Sequence, residues 1–298
     1  MRKRGICVLT ALLLLSGCGF WPRTPAETPD PHEGMVLVAD GRGTHMWVKE
    51  YEDVPVNPLR NIDIAASRDI MGEDGVHYRT RLGIDVSEHQ GAVDWAVLAG
   101  HGMDFAILRA GYRGYGEAGT LNEDVCFADN LRGTQENGID VGVYFFSQAT
   151  NTAEAEEEAD FLIGLLRSYA PENLTLPIFY DWEHIDDDTA RTDDVPDETV
   201  TDCTVAFCER LREAGYDAGV YTFRFFAYQS YDLSRLKDYP LWIGAVGKNP
   251  DFYYEFDIWQ RSVSGRFEGI EGKVDIDMIF VPVSSPAPQP ESSVNKTE

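Results

Sequence analysis

Residues 176–183 read LPIFYDWE, an apolar run that ends in two closely spaced acids. The run 176–180 predicts a buried strand, in which side chains alternate between the two faces. Asp181 and Glu183 are therefore expected on the same face. Because two neighbouring carboxylates repel each other, one of them holds its proton more tightly, which leaves an acid beside a base. This pairing suits cleavage of a glycosidic bond, although an Asp-x-Glu at a solvated strand end is also common, so the fold decides.

Strand and helix patterns alternate on both sides of this run. Over about 200 residues the alternation predicts a parallel α/β fold, and eight apolar runs predict a closed, irregular barrel of the TIM-like (β/α) type. The other seven apolar runs are 82–86, 105–110, 141–146, 218–222, 241–246, 256–259 and 274–280. Helices are predicted over 93–101, 121–137, 152–169 and 197–214.

Acidic residues recur where such a barrel has its working site, at the C-terminal ends of the strands. Asp85 lies in the first run, and Asp181 and Glu183 follow the fourth. Asp275 and Asp277 lie in the last run. Because the first and last strands of a closed barrel are neighbours, carboxylates from strands one, four and eight are expected to face one pit.

The composition limits the partners. The chain has 298 residues and a net charge of −26, so phosphate repulsion argues against nucleic acid and against electrostatic docking on anionic lipid. The 43% hydrophobic content is enough for a sizeable core. We expect a monomer that works outside the cell on a neutral polymer.

The N-terminus has the pattern of a bacterial secretory signal. Residues 1–17 combine a basic start with a short apolar stretch, and residues 15–18 read LSGC, which resembles a lipobox. The resemblance implies cleavage before Cys18 and acylation of Cys18, so that a lipid anchor holds the protein on the outer face of a bacterial membrane. An ordinary signal peptide is the alternative. Residues 18–34 are predicted to be a proline-rich tether.

The remaining segments and cysteines suggest no cofactor. Residues 35–81 predict a small β-rich extension, 82–283 the barrel domain, and 284–298 a disordered tail. Cys126, Cys203 and Cys208 remain after signal removal and fit small buried side chains. Neither Cys-x-x-Cys nor a histidine-rich spacing is present, so no metal site is expected.

Several ordered blocks resemble glycoside hydrolase family 25, the Chalaropsis-type lysozymes or N-acetylmuramidases. Residues 83–91, GIDVSEHQG, and 93–95, VDW, look like the opening of that family. The later blocks are GVYFF at 142–146, DWE at 181–183, LWI at 241–243, WQ at 259–260 and VDID at 274–277. The similarity spans about two thirds of the chain, and ordered blocks are far more specific than a lone acidic pair.

This resemblance implies an irregular barrel that hydrolyses the β-1,4 bond from N-acetylmuramic acid to N-acetylglucosamine in peptidoglycan. It places Glu183 as general acid/base and Asp181 as its partner carboxylate. Asp85 and Asp275 take the two remaining acidic positions. Asp277 falls where the family often has Asn or Asp, and it is grouped with the substrate-binding side chains as a supporting residue.

Aromatic and basic side chains near the strand ends are further candidates for substrate contact. Aromatic rings at these positions could stack on sugars, although such rings are more often core. Arg109 and Arg113 could meet a muropeptide carboxylate, or could pair with the abundant acids. The aromatic candidates are Tyr112, Tyr144, Tyr221, Trp242 and Trp259.

The residues leave open how the bond is cleaved and which reaction is run. Asp181 could attack the anomeric carbon or could orient the 2-acetamido group of the substrate, and its place on the same face as Glu183 favours the second. A chitinase-like glycosidase or N-acetylglucosaminidase is one alternative activity. A non-catalytic wall-binding module is another, but it predicts loss of Asp181 or Glu183, and both are present.

Overall fold

The computed structural model describes residues 30–64, 69–185 and 188–283 of the chain. In chain order the strands are β1 (Met35–Ala39), β2 (His45–Lys49), β3 (Asp69–Met71), β4 (His77–Val86), β5 (Phe105–Arg113), β6 (Leu121–Glu123), β7 (Asp140–Ser147), β8 (Leu174–Trp182), β9 (Ala218–Phe223), β10 (Leu241–Gly244), β11 (Ile258–Gly265) and β12 (Val274–Val283). The helices are α1 (Trp95–Gly100), α2 (Phe127–Glu136), α3 (Thr152–Tyr169), α4 (Asp197–Glu213), α5 (Arg224–Ser230) and α6 (Leu233–Leu236).

Eight strands close into the expected barrel. They pair in the order β4, β5, β7, β8, β9, β10, β11 and β12, and β12 pairs back onto β4. The first seven run parallel, but β12 is antiparallel to both neighbours, so a wholly parallel barrel was the wrong expectation. The connection 266–273 is too short for a parallel crossover, which needs a dozen or more residues.

The reversed direction of β12 changes how its acids reach the rim. A parallel eighth strand would carry its C-terminal end there, whereas β12 presents its beginning. Asp275 is the second residue of β12, and its Cα pairs with that of Asp85 near the end of β4. The two carboxylates are thus neighbours at the same end of the barrel.

Two of the four predicted helices have the expected extents, and a third is partly wrong. Residues 152–169 and 197–213 form α3 and α4. Residues 121–123, predicted helical, instead form β6 along the end of β5, and α2 begins only at Phe127. Asp124 separates the two elements, because its side chain accepts a hydrogen bond from the Cys126 backbone N–H at 2.9 Å.

Strand alternation divides the buried side chains into two groups. One group fills the barrel and includes Phe105, Ile107, Phe179 and Ile258. The other, larger group packs between the strands and the helices and includes Cys203 and Cys208, which are buried free thiols as expected. The same prediction was wrong for Cys126, which is only half-buried. At one end of the barrel, the inward-facing side chains are polar.

The N-terminal extension is a hairpin followed by a segment packed on the barrel domain. Strands β1 and β2 pair antiparallel. The Asn57 side-chain amide donates to the carbonyl oxygens of Pro250 and Phe252, each at 2.8 Å. The predicted boundary at residue 81 falls inside β4, which begins at His77.

Several sequence-based predictions concern residues outside the described ranges. These are the signal segment, Cys18, most of the tether and the tail from residue 284. Within the described ranges, no helix has both the length and the apolar character needed to cross a membrane.

A buried ion pair joins the middle of β5 to the turn between β6 and α2, and it leads to a stability prediction. Asp124 accepts from Arg109 Nε at 2.7 Å and from the Glu88 backbone N–H at 2.9 Å, and both side chains of the pair are buried. Removing the carboxylate leaves a buried guanidinium with less compensation. We expect Asp124→Ala to lower the free energy of unfolding by about 3–5 kcal/mol in urea titrations.

The exposed Asp129 on α2 is the matched control for that experiment. It makes only a surface pair with Arg132, so Asp129→Ala should cost about 0–1 kcal/mol. Equal losses for the two variants would contradict the structural role of Asp124.

Candidate active site

The C-terminal end of the barrel opens into a cavity of about 780 Å³. Glu183, Asp181, Asp85 and Asp275 all line it. Four of the five aromatic candidates line it as well, namely Tyr112, Tyr144, Tyr221 and Trp242. The structure thus brings together side chains that are almost 200 residues apart in the chain.

Strand endings explain how the acids converge. Asp181 is the penultimate residue of β8, with its Cα paired to Tyr221 of β9, and Glu183 is the first residue beyond β8. Asp85 is the penultimate residue of β4. Asp181 and Asp85 are buried, whereas Glu183 is half-buried at the mouth.

Burial dominates the electrostatics of this acidic group. Loss of hydration, with the nearby Asp275 carboxylate, raises the pKa of Asp85 to about 7. Burial raises the pKa of Asp275 to about 6. Burial also raises the pKa of Asp181 well above its usual range, and the charges of Glu183 and Asp85 add to the effect. The cavity therefore disfavours full ionisation of all its carboxyl groups at neutral pH.

A glutamine that the sequence analysis did not select organises three of these groups. Gln260 Nε2 donates to Asp85 Oδ2 at 2.8 Å and to Asp275 Oδ2 at 3.3 Å. Its Oε1 accepts from the Tyr221 hydroxyl at 2.8 Å. The Trp-Gln block drew attention to Trp259, but the strand phase of β11 points Gln260 into the barrel. Only knowledge of which residues of β11 face the barrel interior could have distinguished Gln260 from Trp259.

Trp259 and Asp277 do not line the cavity. Trp259 is fully buried in the outer core, where its ring packs near Phe280 and its Nε1 donates to the Ala245 carbonyl at 2.7 Å. Its expected contact with a sugar is therefore corrected to a packing role. Asp277 is also fully buried, and its Oδ1 accepts from Trp242 Nε1 at 2.8 Å, so it supports the site from below.

Asp277 is a buried acid beneath the site. Burial and the charge of Asp85 raise the pKa of Asp277 well above its usual range, which favours its neutral form. Its Oδ2 has no hydrogen-bond partner among the described residues. The Asp277 carboxyl in turn lowers the pKa of Asp85, against the larger effect of burial.

The aromatic residues divide into a floor and a rim. Trp242 is almost completely buried and packs against Tyr221, with ring centroids 4.4 Å apart, and against Tyr144 at 5.9 Å. Tyr112 is half-buried, and the Arg109 guanidinium lies over its ring at 4.9 Å. Tyr112 therefore offers more ring surface to a ligand. Phe223 is 37% exposed at the cavity edge and was not among the candidates.

The two arginines beside the cavity are occupied by acids. Arg109 bonds to Asp124 and, through Nη2, to Glu88 Oε1 at 3.0 Å. Arg113 bonds to Glu158 at 2.7 Å and to Glu157 at 2.9 Å. The ion-pair interpretation of these arginines is therefore the correct one.

One acceptor in the cavity has no partner. Asp181 Oδ1 is buried and receives no hydrogen bond from the residues that the structure describes. An unsatisfied buried acceptor costs about 1–3 kcal/mol, so the position favours a donor supplied by a ligand.

Residues 84–270 match the family model described as glycosyl hydrolases family 25. The chain belongs to this family. The matched residues include the acids on β4 and β8, whereas Asp275 lies just beyond them. The N-terminal hairpin also lies outside the match.

Two curated proteins are similar in sequence to this chain. It is 26% identical over 198 residues to the "Autolytic lysozyme" of Clostridium acetobutylicum, covering 65% of this chain and 54% of that protein. It is 27% identical over 209 residues to "Lysozyme M1" of Streptomyces globisporus, covering 65% of each chain. The chain thus spans between half and two thirds of the length of these relatives.

A solved structure of similar fold is the modular autolysin LytC from Streptococcus pneumoniae, described in complex with a synthetic peptidoglycan ligand. The TM-score is 0.58 at 25% sequence identity, and the match covers 84% of this chain and 57% of that chain. The family 25 barrel described above is therefore shared with an autolysin.

Across the three described ranges, no group of three or more His, Cys, Asp or Glu is arranged to hold a metal ion.

The raised pKa of Asp85 predicts a pH-dependent gain in stability on substitution. The folded protein keeps a proton, up to about pH 7, that the unfolded chain releases near the usual aspartate pKa of 3.8, so this group makes stability fall as pH rises between those values. Asp85→Asn removes the titration. We expect its gain in Tm over wild type to be at least about 3 °C larger at pH 8 than at pH 4.

Thermal unfolding followed by circular dichroism at both pH values measures this difference. The exposed Asp129→Ala variant provides a control whose Tm difference from wild type should not grow with pH in this way. A gain for Asp85→Asn that is the same at pH 4 and pH 8 would contradict the raised pKa.

Proposed function

We propose that the protein is a muramidase that hydrolyses the β-1,4 bond between N-acetylmuramic acid and N-acetylglucosamine in peptidoglycan. The observation that carries this proposal is the convergence of Asp85, Asp181, Glu183 and Asp275 on one open cavity within a family 25 barrel. The lysozyme relatives and the autolysin of similar fold support the choice of substrate.

Glu183 is proposed to be the general acid and base. It is half-buried at the mouth, where it can reach the glycosidic oxygen. It donates its proton to that oxygen as the bond to the anomeric carbon breaks. It then takes a proton from the water that attacks the same carbon.

Asp181 is proposed to assist the substrate rather than to attack it. Its unpartnered Oδ1 fits an acceptor for the N–H of the 2-acetamido group. That contact orients the acetamido oxygen, which attacks the anomeric carbon and forms an oxazolinium ion that a carboxylate stabilises. Asp181 and Glu183 come from one strand end and the same face, which suits this route better than an acid and a nucleophile on opposite sides of the bond.

The floor of the cavity holds these groups in place. Gln260 ties Asp85 to Asp275, and both raised pKa values keep the number of negative charges near the reaction low. A preorganised hydrogen-bond network of this kind needs little rearrangement as charge develops. Asp85 and Asp275 are proposed to position substrate hydroxyls and the working pair.

Digestion of purified peptidoglycan tests the proposed reaction. Borohydride reduction of the products should give muramitol, because the new reducing end belongs to N-acetylmuramic acid. The acetamido oxygen attacks the anomeric carbon from the face opposite the leaving group, and water then attacks from the other face, so two inversions give net retention. NMR at early times on a soluble glycan should therefore show the β-anomer first. Glucosaminitol would instead identify an N-acetylglucosaminidase, and binding without new reducing ends would identify a wall-binding module.

Glu183→Gln is the companion variant. Loss of general acid catalysis should lower kcat by about 100-fold to 10,000-fold, while the circular dichroism spectrum and Tm stay close to wild type. The exposed Glu156→Gln on α3 is the matched control, with unchanged activity expected. Near wild-type turnover in a folded Glu183→Gln protein would remove this residue from the acid role.

We further propose that Cys18 is acylated and that the segment to residue 34 tethers the barrel to the outer face of a bacterial membrane. The support is the LSGC sequence after a basic and apolar start. In cells of a lipoprotein-processing bacterium, Cys18→Ala should remove labelling by radioactive palmitate and shift the protein from the membrane fraction to the medium or to an unprocessed form. Fractionation of the variant with membranes, as for wild type, would contradict the anchor.

A further inference from the structure

A second cleft adjoins the catalytic cavity. It has a volume of about 370 Å³ and shares two lining residues, Glu183 and Phe223, with that cavity. Its other walls come from α5 and from the turn between β1 and β2, residues 40–42. A ligand in the catalytic cavity can therefore continue past Glu183 into the second cleft.

The hairpin turn is held in one conformation by its own side chains. Asp40 Oδ1 accepts from the backbone N–H groups of Arg42 and Thr44 at 2.8 and 2.9 Å, and its Oδ2 accepts from the Thr44 hydroxyl at 2.7 Å. These bonds, the Thr44 hydroxyl first, lower the pKa of Asp40 to about 2. Gly41 has a φ of +79°, which favours glycine, and it lies close against Arg224. The wall is therefore preorganised rather than a loose loop.

The arginines that line the two cavities differ in their partners. Arg109, Arg113 and Arg224 each pair with a carboxylate, the last with Asp251. Arg42 pairs with none in the described part of the chain. Its guanidinium lies over the Phe225 ring, 3.8 Å from the centroid. Contact through the face of the guanidinium leaves its N–H edges available to a ligand.

An arginine without an acidic partner is notable in a chain of net charge −26. The planar N–H fork matches a carboxylate, and such charge-assisted bonds are stronger than neutral ones. The sugars of peptidoglycan present no free carboxylate once the lactyl group carries its peptide. The peptide stem, attached to the muramic acid beside the scissile bond, does present them.

We propose that the second cleft binds the peptide stem of the substrate and that Arg42 bonds to a stem carboxylate. This inference rests on the proposed muramidase function and adds a specificity for stem-bearing glycan. The turn that supplies Arg42 lies outside the residues matched by family 25, so the specificity belongs to this chain's extension rather than to the shared barrel.

The test compares two soluble substrates prepared from one peptidoglycan. One consists of glycan strands that retain their stems. The other consists of the same strands after an amidase has removed the stems and the lactyl carboxylates that it frees have been coupled to methylamine, so that the stripped strands carry no new carboxylate. For wild type, KM should be lower on the stem-bearing strands, and the advantage should shrink as salt is raised. Arg42→Ala should raise KM on stem-bearing strands about tenfold, with little change in kcat, and should leave KM on stripped strands unchanged.

Two further variants separate charge from shape and from general effects. Arg42→Lys keeps the charge but loses the planar fork, so it should recover part of the lost affinity for stem-bearing strands only. Arg132→Ala on the exposed face of α2 removes one positive charge away from both cavities and should leave both KM values unchanged. Unfolding curves of all the variants should overlay that of wild type, because Arg42 is exposed.

The outcomes distinguish this inference from the function on which it rests. Equal KM changes on both substrates would show that Arg42 contacts sugar, and unchanged KM on both would show that it contacts no substrate; either result overturns the inference alone. Failure of wild type to cleave either substrate would overturn the proposed muramidase function and, with it, the stem-binding role.

Discussion

The pairing of β12 with β4 is the contact on which the rest of the structure depends. Nine Cα pairs, from Asp275 with Asp85 to Val283 with His77, close the sheet and remove its two edges. The same register places one carboxylate of the last strand beside one of the first. Closure of the barrel and assembly of the acidic cavity are thus one event, and a shift of one residue along β12 would turn Asp275 out of the barrel.

Concentrating acids inside a barrel is costly, and the neighbouring residues show how the cost is reduced. Burial raises the pKa of Asp277 and so favours its neutral form, Gln260 donates to two aspartates, and Tyr221 completes the network through the glutamine oxygen. Away from the reacting groups, Arg109 and Arg113 neutralise buried acids directly. Few of the acids at the reaction centre therefore carry a charge, whereas the acids in the supporting wall are paired with arginines.

The extension before β4 adds a wall to a site that the barrel already contains. Asn57 holds the segment after the hairpin against Pro250 and Phe252, and the hairpin turn borders a cleft that also contains Glu183. The barrel determines the bond chemistry, because the acids of the cavity lie on its strands or, for Glu183, directly after one. The extension has no acid at the reaction centre, and its contribution is the shape and charge of the approach beside it.

The sequence by itself determined the eight strands, the barrel and the four acids of the cavity, because alternation and strand-end position are local properties of the chain. It also named five aromatic candidates for substrate contact, of which Tyr112, Tyr144, Tyr221 and Trp242 line the cavity and Trp259 does not. Only the tertiary structure decided that β12 runs antiparallel, that Gln260 rather than Trp259 faces the site, and that the 40–42 turn lines the same cleft as Glu183. These features depend on strand direction, on the phase of one strand relative to its neighbours and on contacts between distant segments, none of which is encoded in a local pattern.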